Sequence, residues 1–161
     1  MKLPRSEVAR RLEGFEAAAR AARVKLTHQR LEIFREVAAS LEHPDAETVF
    51  RSVKARMPTV SLDTVYRTLW LAKDLGLLST LGPRHESVRF DANLSHHHHF
   101  VCLGCGQARD FESEELDSLD VHEAVEMYGR ATATHVEVRG ICNNCEKAAA
   151  PNPRSEARRR P

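Results

Sequence analysis

Apolar side chains recur at helical spacing through the first seventy-odd residues and then switch to alternation. Val8, Leu12 and Phe15, set among Ala and Arg, predict a first helix over 6–22, with Gly14 a mild cost. Thr27 can cap a second helix, THQRLEIFREVAAS, whose Leu31, Phe34, Val37 and Ala38 share one face. His43-Pro44 breaks the chain, and Asp45 can cap a third helix that turns Val49, Phe50 and Val53 inward and ends near Met57-Pro58. Ser61 can cap a fourth, SLDTVYRTLWLAKDLG, ended by Gly76. Its buried stripe is Leu62, Val65, Leu69 and Ala72, and Ser61, Thr64, Tyr66, Arg67 and Thr68 are expected to lie mostly off that stripe. The runs LLSTL and SVRFD, separated by Gly82-Pro83, then predict a β-hairpin.

Helices followed by a hairpin describe a winged helix-turn-helix, with the fourth helix as the candidate recognition element. Its hydroxyls, tyrosine and arginine are groups that bind phosphates and base edges. A plain helical bundle with a polar outer face fits the same segment equally well. After residue 91 the pattern changes. HHFVCL and ATATHVEVRGI alternate as strands, with SEELDSLDVHEAVEMYG as an intervening helix, which makes a small α/β unit. The expected fold class is α+β. The expected domains are 1–90, 91–147, and a Pro- and Arg-rich tail over 148–161 that reads as disordered.

Composition narrows the class. The chain has 161 residues, 42% apolar and 29% charged, which fits one or two globular domains rather than a disordered chain. No apolar run approaches the ~20 residues of a membrane span. The N-terminal residues lack the apolar stretch of a secretory signal, so a cytoplasmic location is expected. The net charge of +1 hides an asymmetry: residues 1–90 carry 16 Lys and Arg against 11 Asp and Glu, and residues 91–147 carry 4 against 11. That suggests a polyanion partner for the first half and cations for the second, although chance clustering of surface charge explains it as readily.

All four cysteines fall in two C-x-x-C pairs, Cys102/Cys105 and Cys142/Cys145. Two residues between thiolates let one tight turn aim both sulfurs at a single ion, and two such turns make a tetrahedral all-sulfur site. Soft thiolates in that geometry select zinc over magnesium or manganese. Disulfides fit poorly with reducing cytosol. A redox pair needs no second copy, and the paired spacing favours zinc over an iron–sulfur cluster.

The run His96-His97-His98-His99 stands just before the first pair. It is too short and too internal for a tag. On a strand, His97 and His99 point one way and His96 and His98 the other. Two imidazoles on one face make half a metal site. Asp91 and Asp110 are candidate carboxylates nearby, and a mixed N/O set suits Fe, Mn or Zn. His43 alone reads as a surface residue more often than as a ligand. A catalytic zinc is the competing class of chemistry, but no H-E-x-x-H or similar base-bearing motif accompanies these groups.

Taken in order, LTHQRLEIF, EHPDAETVF, VSLDTVYRTL, VRFD, HHHHFVCLGCG and GICNNC resemble the ferric uptake regulator (Fur) family over about residues 8–147. The resemblance implies an N-terminal winged-helix domain, a C-terminal dimerisation domain, and a homodimeric repressor that binds palindromic operator DNA. The spacing of the four cysteines already makes a structural zinc the expectation there. A regulatory Fe(II) or Mn(II) is implied by the resemblance on His43, Asp91, His97, His99 and Asp110. The exposed face of the fourth helix itself makes Ser61, Thr64, Tyr66 and Arg67 the expected DNA contacts. Iron sensors of the family usually carry glutamates at the two carboxylate positions, and peroxide sensors (PerR) usually carry aspartates. Asp91 and Asp110 therefore look like the peroxide branch, in which iron-catalysed oxidation of a ligand histidine, here His43 or His97, ends repression. Arg67 instead matches the iron-sensing branch. Iron- or zinc-responsive repression of metal uptake is the alternative within the family. A further family site would use His96, His98 and Asp117. Its last histidine falls on Thr134, and His135 is expected to face the other side of a strand, leaving that site incomplete.

Overall fold

Three of the four long helices start where a side chain can accept an orphan backbone N–H. In the computed structural model, which describes residues 3–81, 88–131 and 134–149, α1 spans Arg5–Ala21, α2 His28–Ala38, α3 Ala46–Lys54 and α4 Leu62–Asp74. Thr27 Oγ1 accepts from Arg30 N–H at 3.3 Å, Asp45 Oδ1 from Thr48 N–H at 2.8 Å and Ser61 Oγ from Thr64 N–H at 3.1 Å. Burial pushes the Asp45 carboxyl up, but the Thr48 hydrogen bonds and the cations of Arg89 and Arg51 outweigh it and hold it below its usual range. Such a cap stabilises a helix by about 1 kcal/mol. At the far end of α4, Gly76 adopts φ +71°, and the N–H groups of Leu77 and Gly76 return to the carbonyls of Ala72 and Lys73. That left-handed stop is open to glycine without strain.

The chain divides into two units, Met1–Ser95 and His96–Pro161. Asp91, which the sequence places at the start of the C-terminal domain, falls in the first. That unit packs its four helices around Phe15, Ile33, Phe34, Val37, Val49, Val53, Val65 and Leu69, all buried. The rings of Phe15 and Phe34 stack with centroids 4.4 Å apart. Beside the helices lies an antiparallel pair, β1 (Ser79–Leu81) and β2 (Arg89–Asp91), in which Ser79 faces Asp91 and Thr80 faces Phe90. The proposed Gly82-Pro83 turn lies outside the described residues.

Thr68 departs from expectation. It is 1% exposed, on the same face as Val65, Leu69 and Ala72, while Leu62 is only half-buried. Three residues beyond Val65 is the same side of a helix, and the hydroxyl is satisfied by donating to Thr64 O at 2.8 Å.

The second unit is a three-stranded sheet in the order β4-β3-β5, with β3 at His98–Cys102, β4 at Ala108–Phe111 and β5 at Glu137–Gly140. β3 pairs antiparallel with β4 and parallel with β5. The alternation of hydrophobicity misses β4, because four residues including Arg109 and Asp110 leave too little pattern to read. The single helix expected between the strands is two short ones, α5 (Glu114–Asp117) and α6 (His122–Val125). Ser118 Oγ donates to Glu115 O at 2.8 Å and closes the first after one turn. The crowd of Glu114, Glu115, Asp117 and Asp120 gives a longer helix no cationic partners along its face. A last helix, α7 (Asn143–Ala149), continues from the second cysteine pair past residue 147, and the remainder of the proposed tail lies outside the described residues. Among the described residues no helix is long and apolar enough to cross a membrane.

Candidate metal centres

The four cysteines meet at the end of the second sheet. Cys102 closes β3, Cys105 lies in the turn leading to β4, and Cys142 and Cys145 flank the start of α7. Strand pairing brings the two turns together: Cys102 faces Gly140 across β3 and β5, and Leu103 N–H donates to Gly140 O at 2.7 Å. The Sγ atoms of Cys102 and Cys145 are 3.8 Å apart, and those of Cys105 and Cys142 3.9 Å. Four sulfurs at a zinc–sulfur distance of about 2.3 Å stand roughly 3.8 Å apart in a tetrahedron, so the spacing fits a closed, structural zinc site.

The backbone prepares the site for anionic sulfur. Cys142 N–H points at Cys102 Sγ from 3.2 Å. This bond, with those from the Cys105 and Gly104 backbone, outweighs burial and brings the Cys102 thiol down to about 6. Cys145 faces the sulfurs of Cys105, Cys142 and Cys102, and hydrogen bonding among them together with burial pushes it up to about 12. Four clustered sulfurs hold their negative charge only beside a cation, which is how bound metal and fold become coupled. Gly104 sits close against the site: a Cβ there would stand 3.1 Å from Cys145 Sγ, tight enough that the cysteine would have to shift.

The histidine run splits by face as the alternation predicts. His97 and His99 are buried, and their Nε2 atoms lie 2.8 Å apart. Asp110 is directly opposite His99 in the β3–β4 register, and its Oδ1 lies 3.7 Å from both Nε2 atoms. Two imidazole nitrogens and a carboxylate oxygen converging this closely are the donors a divalent ion such as Fe(II), Mn(II) or Zn(II) takes.

In the first unit His43 and Asp91 form a second cluster. His43 Nδ1 is 3.4 Å from Asp91 Oδ1, and both residues are buried. Asp91 is held in place by Asn93 N–H at 2.7 Å and stands 3.5 Å from the Ser79 hydroxyl across the hairpin. The carboxylate thereby keeps its orientation while retaining lone pairs for an ion.

A third cluster uses the other histidine face. Asp117 Oδ1 is 2.9 Å from both His96 Nε2 and His98 Nε2. His98 Nε2 is buried and has no hydrogen bond despite that proximity. Val136 N–H donates to His98 Nδ1 at 3.3 Å, which favours the tautomer with its proton on Nε2, so ligation there requires this long bond to yield. His135 does not turn away. It precedes β5 rather than lying in it, so strand alternation does not govern it, and its ring is 5.8 Å from that of His96.

On α4, Ser61 and Thr64 are joined by a 2.8 Å hydrogen bond between hydroxyls, and Tyr66 and Arg67 are exposed. Arg67 Nε pairs with Asp63 at 3.0 Å. The start of this helix thus offers a cation, a phenol and two hydroxyls within about two turns.

Comparison with known proteins bears on what these centres belong to. The ferric uptake regulator family model matches residues 21–139. The peroxide-responsive repressor PerR of Staphylococcus epidermidis is 33% identical over 138 residues, 84% of this chain and 91% of that protein. The Helicobacter pylori ferric uptake regulator shares the fold, with TM-score 0.74 at 22% identity over 93% of this chain and 99% of that one. A zinc-bound manganese uptake regulator aligns with TM-score 0.64 at 29% identity over 80% of this chain and 98% of its own. The chain belongs to the ferric uptake regulator family.

Proposed function

We propose that this protein is a metal-dependent transcriptional repressor that binds palindromic operator DNA as a homodimer and is switched by hydrogen peroxide. The observation that carries the reading is the division of ligands. His43 and Asp91 lie in one unit and His97, His99 and Asp110 in the other, and neither set alone fills the coordination of Fe(II) or Mn(II). One ion shared by the five residues selects a single arrangement of the units, the one in which two α4 helices of a dimer match the operator's half-sites. A coupling of roughly 1–3 kcal/mol is the usual scale of such a switch. The cysteine cluster takes a structural zinc and keeps β3, which bears His99 and follows directly on His97, in register.

Two aspartates at positions 91 and 110 support peroxide as the signal, as does similarity to a peroxide-responsive repressor. An Fe(II) held by these residues would catalyse cleavage of the peroxide O–O bond, the net two electrons coming from the imidazole that is oxidised. The imidazole of His43 or His97 takes up one oxygen, its ring C–H becoming C–OH, and the other oxygen leaves as water. The oxidised ring is a poor ligand, so the DNA-binding arrangement is lost. The contacts to DNA come from α4, with Ser61 and Thr64 on phosphates and Tyr66 and Arg67 toward base edges.

The test is to load the full chain with Fe(II) without oxygen, add peroxide, and map peptides by mass spectrometry. One added oxygen on His43 or His97 with loss of operator binding is expected. An unmodified map with binding intact transfers the reading to an iron- or manganese-responsive repressor. Arg67, which matches the iron-sensing branch, and the similarity to a manganese uptake regulator favour that second reading.

A further inference from the structure

Arg89 is two residues before Asp91 on β2, and its guanidinium reaches back across the first unit. Nη1 donates to the carbonyl of His43 at 3.2 Å. The backbone runs the same way: Phe90 N–H donates to Pro44 O at 3.1 Å, and Asp45 and Arg89 form an isolated antiparallel bridge. His43 itself is left-handed, with φ +44°, a region that non-glycine residues enter only when their surroundings hold them there. The carbonyl that Arg89 grips therefore belongs to the strained residue, and the strand supplying the grip ends on the carboxylate that faces the His43 ring.

We infer that Arg89 is a positioning residue for the regulatory ion: by holding the His43 carbonyl it keeps His43 in its left-handed conformation and its imidazole against Asp91. This rests on the five-ligand reading above. Arg89 touches no ion. Without its donor, His43 is free to relax toward ordinary φ, and a histidine–carboxylate pair that is preformed becomes one that must be ordered when metal binds. Groups that orient a ligand in this way typically change metal affinity by about 10–100-fold when removed. Arg89 also lies close enough to Asp45 to lower its carboxyl, so a purely structural role, supporting the cap of α3, predicts a loss of stability instead.

The experiment uses the full, zinc-loaded chain with Mn(II) as the probe. Free Mn(II) is followed by electron paramagnetic resonance, and the metal-free melting temperature is measured separately. Arg89→Met keeps the unbranched stem and removes the donor, and Arg89→Ala removes both. The expected result is a Kd for Mn(II) raised about tenfold or more in both variants, with zinc content unchanged and the melting temperature of Arg89→Met close to that of the parent. Parental Mn(II) affinity in Arg89→Met overturns the inference, as does an affinity loss that merely tracks a lowered melting temperature. His43→Ala separates the two levels. If it loses Mn(II) binding while Arg89→Met does not, positioning by Arg89 fails and the ligand set stands. If His43→Ala binds Mn(II) as the parent does, the five-ligand reading fails and this inference with it.

Discussion

The ring of Trp70, on α4, stands edge-on to that of Phe90, on β2, with centroids 5.8 Å apart. Phe90 is buried and immediately precedes Asp91. The proposed recognition helix thus makes an aromatic contact with the neighbour of one proposed metal ligand. Trp70 is the only tryptophan of the sequence and is partly exposed, so its emission reports on this contact. Adding Mn(II) to the zinc-loaded protein should produce a saturable change in tryptophan fluorescence, and Asp91→Ala should remove it. A flat titration under conditions where calorimetry registers binding would show that Asp91 transmits nothing to α4.

Gly104 leaves little room for a side chain. A Cβ would meet Cys145 Sγ at 3.1 Å and Cys145 Cβ at 3.2 Å, so one sulfur or the turn must move. A tetrahedral site tolerates little change in sulfur spacing. Gly104→Ala is expected to lose zinc to a chelator at least tenfold faster than the parent. Equal rates would mean that the turn deforms freely.

Arg67 and Asp63 make an exposed pair one helical turn apart. Such pairs are worth about 0.5 kcal/mol or less and give way to a better partner. Arg67→Ala should weaken operator binding by about 1–3 kcal/mol with little effect on random-sequence DNA, if Arg67 reads a base edge. Asp63→Ala should strengthen binding to both by removing a negative charge near the phosphates. Competition titrations at fixed salt decide, and a uniform loss for Arg67→Ala would assign it to a phosphate instead.

Phe15 and Phe34 form the stacked centre of the first unit. Phe15→Ala is expected to cost about 3–5 kcal/mol. Against a total stability of about 5–15 kcal/mol this approaches unfolding of that unit. The cysteine cluster belongs to the other unit, so zinc content should be retained while thermal melting by circular dichroism shifts down. A variant that melts as the parent does would place the core elsewhere.

What the sequence determines by itself is what depends on near neighbours. Thr27, Asp45 and Ser61 announce the helix starts because a cap is a contact within three residues. The two C-x-x-C turns announce an all-sulfur site because the spacing within each turn aims both sulfurs. The split of His97 and His99 from His96 and His98 is what strand alternation predicts, although β3 itself begins only at His98. Tertiary structure decides the rest. β4 is too short and charged to be read, yet its pairing with β3 sets Asp110 opposite His99. Thr68 is buried although its hydroxyl suggests solvent, because its helix face is the packed one. His135 approaches His96 because the chain there has not yet entered the pleat. His43 acquires its left-handed backbone and its carboxylate neighbour from β2, a strand more than forty residues away. No periodicity in the sequence encodes that approach, since the contacts that create it exist only once the hairpin has closed against the helices.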